Sequence, residues 1–128
     1  MASDTTGRVV AVIGASNDRR KFGNKAVRAF LAEGHTVIPI NLTAKRIEGL
    51  TAYQSVLDVA GPIDMATVYL PADTALSVLS DLAAKSISEI WVNPGAESDA
   101  LLEKARALKL NVFAACSIVG IGRNPSQF

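Results

Sequence analysis

The sequence predicts an α/β domain in which one mainly parallel five-stranded sheet is doubly wound, with helices on both faces. Three observations predict it. Short apolar runs alternate along the chain with amphipathic stretches, which is the alternation that parallel strands joined by crossover helices require. The first run, Val9 to Ile13, is apolar throughout and rich in β-branched residues, as in a strand buried on both faces. The length of 128 residues suits a single domain with one core.

The elements follow in order along the chain. Gly23 to Glu33 reads as a helix that ends at Gly34, and two further helices are expected after Pro71 and after the capping residue Ser98. The periodicity is poor from residue 41 to residue 61, so a long connection is expected there, with one short helical turn capped by Ser55. Residues 1–7 are small and polar and are expected to be loosely ordered, which leaves a single Rossmann-like domain over residues 8–128. The five strands are predicted at Val9 to Ile13, Thr36 to Ile40, Met65 to Leu70, Glu89 to Val92 and Asn111 to Ala115.

Composition excludes several classes of function. Apolar residues make up 49% of the chain, charged residues 20%, and the formal net charge is +1, so no broad basic surface for nucleic acid is expected. No apolar run approaches the roughly 20 residues that span a bilayer. One cysteine and one histidine form neither an internal disulfide nor a metal-ligand pattern. These features indicate a cytoplasmic protein.

The turn Gly14-Ala15-Ser16 ends the first strand. In open parallel sheets, ligands bind outside the carboxyl ends of the strands, where the next helix presents unpaired N–H groups. Gly14 allows a sharp turn and a close backbone approach, and the Ser16 hydroxyl and a nearby Arg19 or Lys21 could bind a phosphate. The turn therefore predicts a phosphate loop, although it is neither G-x-G-x-x-G nor a Walker loop. The alternative is that Gly14 only turns the chain and that Ser16 is a local cap.

The end of the second strand discriminates between nucleotides. NAD-binding domains commonly carry an acidic residue there for the ribose hydroxyls, whereas this chain reads Ile40-Asn41 followed by Lys45-Arg46. Positive charge beside the ribose favours a ligand with an extra phosphate, which describes both NADP and coenzyme A. The alternative is that Lys45 and Arg46 belong to a solvated loop.

Candidates for catalysis are few. His35 precedes the second strand and is therefore expected at the opposite end of the sheet from the phosphate loop, in a structural role. Cys116 follows the fifth strand, either as a small buried residue or as a thiol able to form a mixed disulfide with coenzyme A. Trp91 is expected in the core or at a subunit interface. No catalytic residue and no metal site are assigned.

The chain resembles the family of small, free-standing CoA-binding proteins, whose domain is similar to the N-terminal domain of the succinyl-CoA synthetase α subunit. The match runs from about Val9 to Val119 and rests on the order and spacing of several pieces. These are Val12-Ile13-Gly14-Ala15-Ser16, Glu33-Gly34-His35, Val37-Ile38-Pro39-Ile40-Asn41, Ile47-Glu48-Gly49, Tyr53 to Val59, Gly61-Pro62-Ile63-Asp64, Tyr69-Leu70-Pro71, Ile90-Trp91-Val92, Gly95 and Cys116.

The resemblance implies a binding site for coenzyme A or an acyl-CoA. The turn after the first strand would hold the pyrophosphate with help from the next loop, the segment after the second strand would face the adenosine and its ribose phosphate, and the end of the third strand would close the cleft. The residues that this assigns are Gly14, Ala15, Ser16, Lys21 and Phe22, then Asn41, Leu42 and Lys45, then Leu70, Pro71 and Thr74. The chain departs from the family at Leu42, where proline is frequent, and in the tail from Ser117 to Arg123.

Three functions are left open by the sequence. The first is non-catalytic binding of coenzyme A or an acyl-CoA. The second is an NADP-binding fragment of an oxidoreductase. The third is an interaction subunit that no longer binds a ligand and acts in a larger complex, and a homodimer is left open as well.

Overall fold

A parallel five-stranded sheet forms the centre of the protein in the computed structural model, which describes residues 7–128. The prediction of a loosely ordered start therefore falls almost entirely outside the described residues. Along the chain the strands are β1 (Val9–Ile13), β2 (Thr36–Ile40), β3 (Arg46–Ile47), β4 (Leu50–Thr51), β5 (Met65–Val68), β6 (Glu89–Val92) and β7 (Val112–Ala114). The main sheet has the order β2-β1-β5-β6-β7 with every pair parallel, and β3 and β4 form a separate antiparallel hairpin.

Helices cover both faces of the sheet, which confirms the doubly wound architecture. The helices are α1 (Phe22–Ala32), α2 (Ala72–Ala84), α3 (Asp99–Ala107) and a short α4 (Ser117–Gly120), with 3₁₀ turns at Val56–Asp58 and Pro125–Gln127. Within β1, Val10 and Val12 pack with α1 and α4, whereas Ala11 and Ile13 pack with α2 and α3. Burial on both faces explains why the predicted first strand is apolar at every position. Every helix described between residues 7 and 128 is too short or too polar to span a bilayer.

Local signals in the sequence place most of these elements. Ser98 caps α3 by accepting a 3.1 Å hydrogen bond from the N–H of Leu101, and Ser55 caps the first 3₁₀ turn in the same way through Leu57. Gly34 ends α1 with φ of 86°. Pro71 is the N-cap of α2, one residue before the helix that it was expected to begin.

The structure corrects the predicted connection between β2 and β5. The hairpin of β3 and β4 lies there, and it buries Ile47 completely against the α1 side of the sheet. Its turn places Glu48 and Gly49 at φ of 49° and 78°. Two-residue strands are too short for periodicity to reveal, and Glu-Gly is not among the dipeptides most typical of such turns. The strand that was predicted from Met65 to Leu70 is β5, and it ends at Val68. The short helix α4 was not predicted.

Candidate functional site

A cleft of about 580 Å³ opens at the carboxyl ends of the central strands. The chain leaves β1 through α1 to reach β2 on one side, and it later returns to pair β5 on the other side of β1. This reversal of strand order is where open α/β sheets bind their ligands. The volume lies within the range of roughly 300–1,000 Å³ that is usual for small-molecule sites.

The floor of the cleft is the turn after β1. Gly14 has φ of 90°, and a Cβ at this position would collide with the peptide carbonyl of Tyr69 at the end of β5. The N–H groups of Gly14 and Ala15 donate to the carbonyl oxygen of Ile40 over 3.1 and 3.2 Å. The turn is therefore fixed between the ends of β2 and β5, and those two amides are already committed within the protein.

The N-terminus of α1 faces the cleft without a cap. Lys21 is the N-cap residue and makes no side-chain capping bond, and the first turn carries no acidic residue. Within residues 7–128, the N–H groups of Ser16, Phe22 and Gly23 have no hydrogen-bond acceptor. Phe22 and Gly23 are the first two residues of the helix. Unpaired N–H groups and the positive end of the helix dipole favour an anion at this place.

Gly23 allows this helix to approach the turn closely. A Cβ on Gly23 would overlap the carbonyl oxygen of Gly14. The absence of a side chain on Gly23 thus brings the start of α1 into direct contact with the turn after β1.

A buried polar network holds the loop between β1 and α1 in place. Asn24 is fully buried and donates from Nδ2 to the carbonyl oxygen of Ser16 over 2.8 Å and to Oε2 of Glu48 over 3.0 Å. Its Oδ1 accepts from Nε of Arg28 over 2.7 Å. Asn17 donates to the carbonyl oxygen of Arg46 over 3.1 Å. The β3–β4 hairpin therefore braces the loop from outside, a role that the sequence did not reveal.

The arginines of this loop are paired with acids. Nε and Nη2 of Arg20 donate to the two carboxylate oxygens of Asp18, each over 3.0 Å, and these hydrogen bonds lower the pKa of Asp18 to about 2. Arg19 lies 3.8 Å from the carboxylate of Glu48. Among the residues that line the cleft in the described part of the chain, Lys21 is the single charged side chain. The local positive charge that a phosphate would meet therefore comes from Lys21 and from the helix end.

On the β2 side, the wall of the cleft is a turn organised by Asn41. Its Nδ2 donates to the carbonyl oxygen of Ala15 over 2.9 Å, and its Oδ1 accepts from the N–H groups of Thr43 and Ala44 over 2.8 and 2.7 Å. Asn41 lines the cleft, but its side chain is committed to holding this turn against the turn after β1. Leu42 projects from the turn with 74% of its surface exposed.

The opposite wall begins at Tyr69, after β5. The hydroxyl of Tyr69 lies 3.0 Å from Oγ of Ser117, and burial raises the pKa of Tyr69 to about 12. Ser117 in turn contacts Oγ1 of Thr67 over 2.7 Å and donates its N–H to Oδ1 of Asn93 over 2.8 Å. Tyr69 is thus protonated at neutral pH and anchors this wall to the C-terminal helix α4.

The structure brings ten of the eleven predicted site residues into one cleft. They are Gly14, Ala15, Ser16, Lys21, Phe22, Asn41, Leu42, Leu70, Pro71 and Thr74. Lys45 is the exception, because it is exposed at the end of the turn and is not among the residues that line the cleft. Its place reflects the Asn41 turn, which diverts the chain into the β3–β4 hairpin.

Thr43 also lines the cleft, within the segment after the second strand that was predicted to face the adenosine. The lining residues that were not predicted are Ile13, Gly23, Ile40, Gln54, Val78 and the segment from Pro94 to Ala96. The last of these follows β6, whose carboxyl end lies beside that of β5. The Asn93-Pro94-Gly95 turn was a usable signal, since turns that follow neighbouring parallel strands meet at the same edge of the sheet. Gln54 lies in the long connection and had no such signal.

The candidate catalytic residues lie elsewhere. His35 lines a smaller cavity together with Arg8 and Glu89, at the amino ends of the strands, as its position in the sequence predicted. Its Nδ1 accepts from the N–H of Arg8 over 3.3 Å. Cys116 is half-buried and is not among the residues that line the large cleft. No group of three potential metal ligands occurs among residues 7–128.

Fold and cleft together define a Rossmann-like domain with a cleft at its switch point, which is where such folds bind ligands. The model of the CoA-binding domain family matches residues 8–121, so the chain belongs to that family. This confirms the resemblance noted from the sequence.

Relatives in larger proteins align with the same domain. The α subunit of ADP-forming acetate–CoA ligase II from Pyrococcus furiosus is 31% identical over 86 residues, which is 66% of this chain and 19% of that subunit. The ADP-forming acetate–CoA ligase of Methanocaldococcus jannaschii is 33% identical over 78 residues, which is 61% of this chain and 11% of that enzyme. The chain therefore corresponds to one part of these relatives.

Solved structures share the fold closely. A conserved hypothetical protein from Pyrococcus furiosus is 29% identical with a TM-score of 0.83, and the match covers 88% of this chain and 98% of that one. A dinucleotide-forming acetyl-coenzyme A synthetase of Ca. Korarchaeum cryptofilum, in complex with phosphate and ADP, is 30% identical with a TM-score of 0.75. That match covers 86% of this chain and 26% of the synthetase chain. The fold thus occurs both as a nearly complete chain and as part of an enzyme.

Proposed function

We propose that this protein binds coenzyme A or an acyl-CoA in the cleft at the switch point and holds the ligand's diphosphate at the N-terminus of α1. The observation that carries the proposal is the set of free N–H groups on Ser16, Phe22 and Gly23, beside the ammonium of Lys21. Helix N–H groups, a serine hydroxyl and a cation supply charge-assisted hydrogen bonds to a diphosphate without a metal ion.

The amides of Gly14 and Ala15 are not the donors in this proposal. Both already donate to Ile40, so the two residues act by shape: they are small enough for the diphosphate to lie across the turn. The sequence had suggested that Gly14, Ala15 and Ser16 share one role. In the proposed site, Ser16 binds the ligand and the other two make room for it.

The two ends of the cleft suit the two ends of the ligand. Toward β2, amide and hydroxyl groups of Thr43 and Gln54 lie beside the exposed Leu42, which suits an adenosine with its polar edges and flat faces. Lys45 lies beyond this end and adds positive charge on the side of the ribose phosphate. Toward α2, Leu70, Val78 and Ala96 give an apolar wall for the pantetheine arm.

We further propose that the domain presents its ligand and performs no chemistry on it. The titratable side chains that line the cleft in the described residues are Lys21 and Tyr69, and the raised pKa of Tyr69 prevents it from acting as a base near neutral pH. The ligase relatives align over a small part of their length. By analogy, a catalytic partner would act on the thiol end of a ligand held here.

Calorimetric titration with four nucleotides tests the proposal. We expect coenzyme A to bind more tightly than dephospho-coenzyme A, and NADP and NAD to bind weakly or not at all. In thermal unfolding, coenzyme A at about 100 times its dissociation constant should add roughly 2.7 kcal/mol of stability. A preference for NADP would favour an oxidoreductase fragment instead. The absence of binding by all four would contradict the proposal and favour an interaction subunit.

A further inference from the structure

The two edges of the central sheet differ in how they are protected. The outer edge of β2 is covered by the backbone of Tyr53. The carbonyl oxygen of Tyr53 accepts from the N–H of Asn41 over 2.9 Å, and the N–H of Tyr53 donates to the carbonyl oxygen of Pro39 over 3.0 Å. Pro39 also lacks an N–H group. The strand at the opposite edge, β7, pairs only with β6 in the described part of the chain.

Alternate residues of β7 direct their backbone polar groups outward. The carbonyl of Asn111 accepts from Ile90, and the N–H of Ala115 donates to Val92, so the odd-numbered residues face β6. Val112 and Ala114 therefore point their N–H and C=O groups away from the sheet. These four groups form an unused ladder of two donors and two acceptors.

The side chains at this edge suit close contact with another strand. Charged residues and proline commonly keep exposed edge strands from pairing with other strands. The segment from Asn111 to Cys116 contains neither. Phe113 is 41% exposed and stacks on Trp91 with a centroid distance of 5.1 Å. Gly120 packs against the ring of Trp91. The exposed surface of this aromatic pair is therefore mainly that of Phe113.

We infer that β7 is the interface of a homodimer, in which β7 of a second copy pairs with it in antiparallel register about a two-fold axis at Phe113. This register places Val112 opposite Ala114 of the second copy and Ala114 opposite its Val112. All four outward backbone groups are then used, and the two Phe113 residues form a non-hydrogen-bonded pair with side chains in contact.

The two edges of the sheet differ, and this difference favours a closed dimer over an open chain of many copies. Head-to-tail growth would require β7 of one molecule to pair with β2 of the next, and Tyr53 and Pro39 close that edge. Pairing of β7 with itself is isologous and stops at two. The net charge of +1 per chain opposes this association only weakly.

Sedimentation velocity over a concentration series is the first test. Three paired residues bury little surface, so a weak dimer is expected, with a dissociation constant of about 10–100 μM. Ala114→Pro removes an outward N–H that β6 does not use, so it should abolish the dimer and leave the fold intact by circular dichroism. Ala114→Ser, which keeps that N–H, should dimerise normally. A chain that stays monomeric to about 500 μM, or a dimer unaffected by Ala114→Pro, would overturn the inference.

Cross-linking tests the register. Paired Cα atoms at a non-hydrogen-bonded position lie about 4.5 Å apart, which is within disulfide range. In a Cys116→Ser background, Phe113→Cys should form a covalent dimer on mild oxidation. Val119→Cys in the same background is the control, because Val119 is 59% exposed but lies on α4, outside the strand. Equal cross-linking of the two variants would contradict the proposed register.

Discussion

The peptide carbonyl of Tyr69 lies where the first side-chain atom of any larger residue at Gly14 would have to stand. Gly14 also has φ of 90°, which L-amino acids with side chains rarely adopt. The contact joins the ends of β1 and β5, the two strands that flank the switch point.

Gly14→Ala should therefore lower the free energy of unfolding by about 3 kcal/mol or more, since strain in φ and a clash with backbone act together. Chemical denaturation measures this loss. Gly49→Ala is the matched control, because Gly49 has φ of 78° but open space around it. It should cost only about 1 kcal/mol. Similar losses in the two variants would show that the contact with Tyr69 is unimportant.

Asn24 gives a second prediction because it joins three segments from a fully buried position. Asn24→Ala would leave the Ser16 carbonyl, the Glu48 carboxylate and the Arg28 guanidinium short of a partner. We expect a loss of about 2–3 kcal/mol in unfolding free energy, together with weaker binding of coenzyme A because the loop between β1 and α1 loses its brace.

Asn17→Ala is the control for this variant. Asn17 is exposed and makes one hydrogen bond, to the carbonyl of Arg46, so its replacement should cost less than about 1 kcal/mol. If Asn24→Ala bound coenzyme A with unchanged affinity, the network would serve stability alone.

The main sheet was predictable because its signals are local. Continuous apolar runs such as Val9–Ile13 reflect burial on two faces, and Gly34 and Ser98 mark helix ends through their own backbone chemistry. The order of the strands was not predicted, because the handedness of βαβ units fixes the side of each crossover and not the point at which the strand order reverses. That Gly14 and Pro71 both lie at the carboxyl ends of the parallel strands could be predicted without any knowledge of side-chain contacts.

What escaped prediction depends on contacts between distant segments. Glu48 reaches Asn24 across 24 residues, and Ser117 reaches Tyr69 across 48. No pattern in the chain indicates that a two-residue strand such as β3 will pair, or that Ile47 will be buried by it. The commitment of the Gly14 and Ala15 amides to Ile40 is equally invisible in sequence, and so the separate roles proposed for Gly14, Ala15 and Ser16 could not be inferred from the sequence.

The pH dependence of stability gives a third prediction. Burial, with a smaller contribution from Arg8, lowers the pKa of His35 below its ordinary value of 6.5, and its Nδ1 must be unprotonated to accept from Arg8. The folded state thus prefers the neutral ring. The stabilisation is complete above about pH 6.5, and it is lost as the pH falls through the lower pKa of the folded state.

Urea unfolding between about pH 7.5 and 5 should show a slope of at most about 1.4 kcal/mol per pH unit from this group. His35→Asn keeps an acceptor without a titrating ring and should flatten the slope. His35 is the single histidine of the chain, so an unchanged slope in the variant would contradict this assignment.

Ser16 gives a fourth prediction, which concerns binding. Its Oγ already accepts the N–H of Asp18 over 3.0 Å, so the hydroxyl proton is the part left for a phosphate oxygen. Ser16→Ala should weaken binding of coenzyme A roughly 10- to 100-fold, as expected for a hydrogen bond to an ionised group. Calorimetry measures the change, with Ser77→Ala on the exposed side of α2 as a control that should leave binding unaffected. Unchanged affinity of the Ser16 variant would show that the hydroxyl does not bind the ligand.

The last prediction separates two neighbouring cations. Arg20 is held by both carboxylate oxygens of Asp18, whereas Lys21 lines the cleft at the start of α1. Lys21→Met should weaken binding of coenzyme A about 3- to 10-fold, and Arg20→Met should change it by less than about twofold, since its charge is already compensated. The affinity of the Lys21 variant should also fall less steeply between about 50 and 300 mM salt, because one screened attraction is gone. Equal losses in both variants would mean that the phosphates meet the summed charge of the loop, and that the pairing of Arg20 with Asp18 opens when the ligand binds.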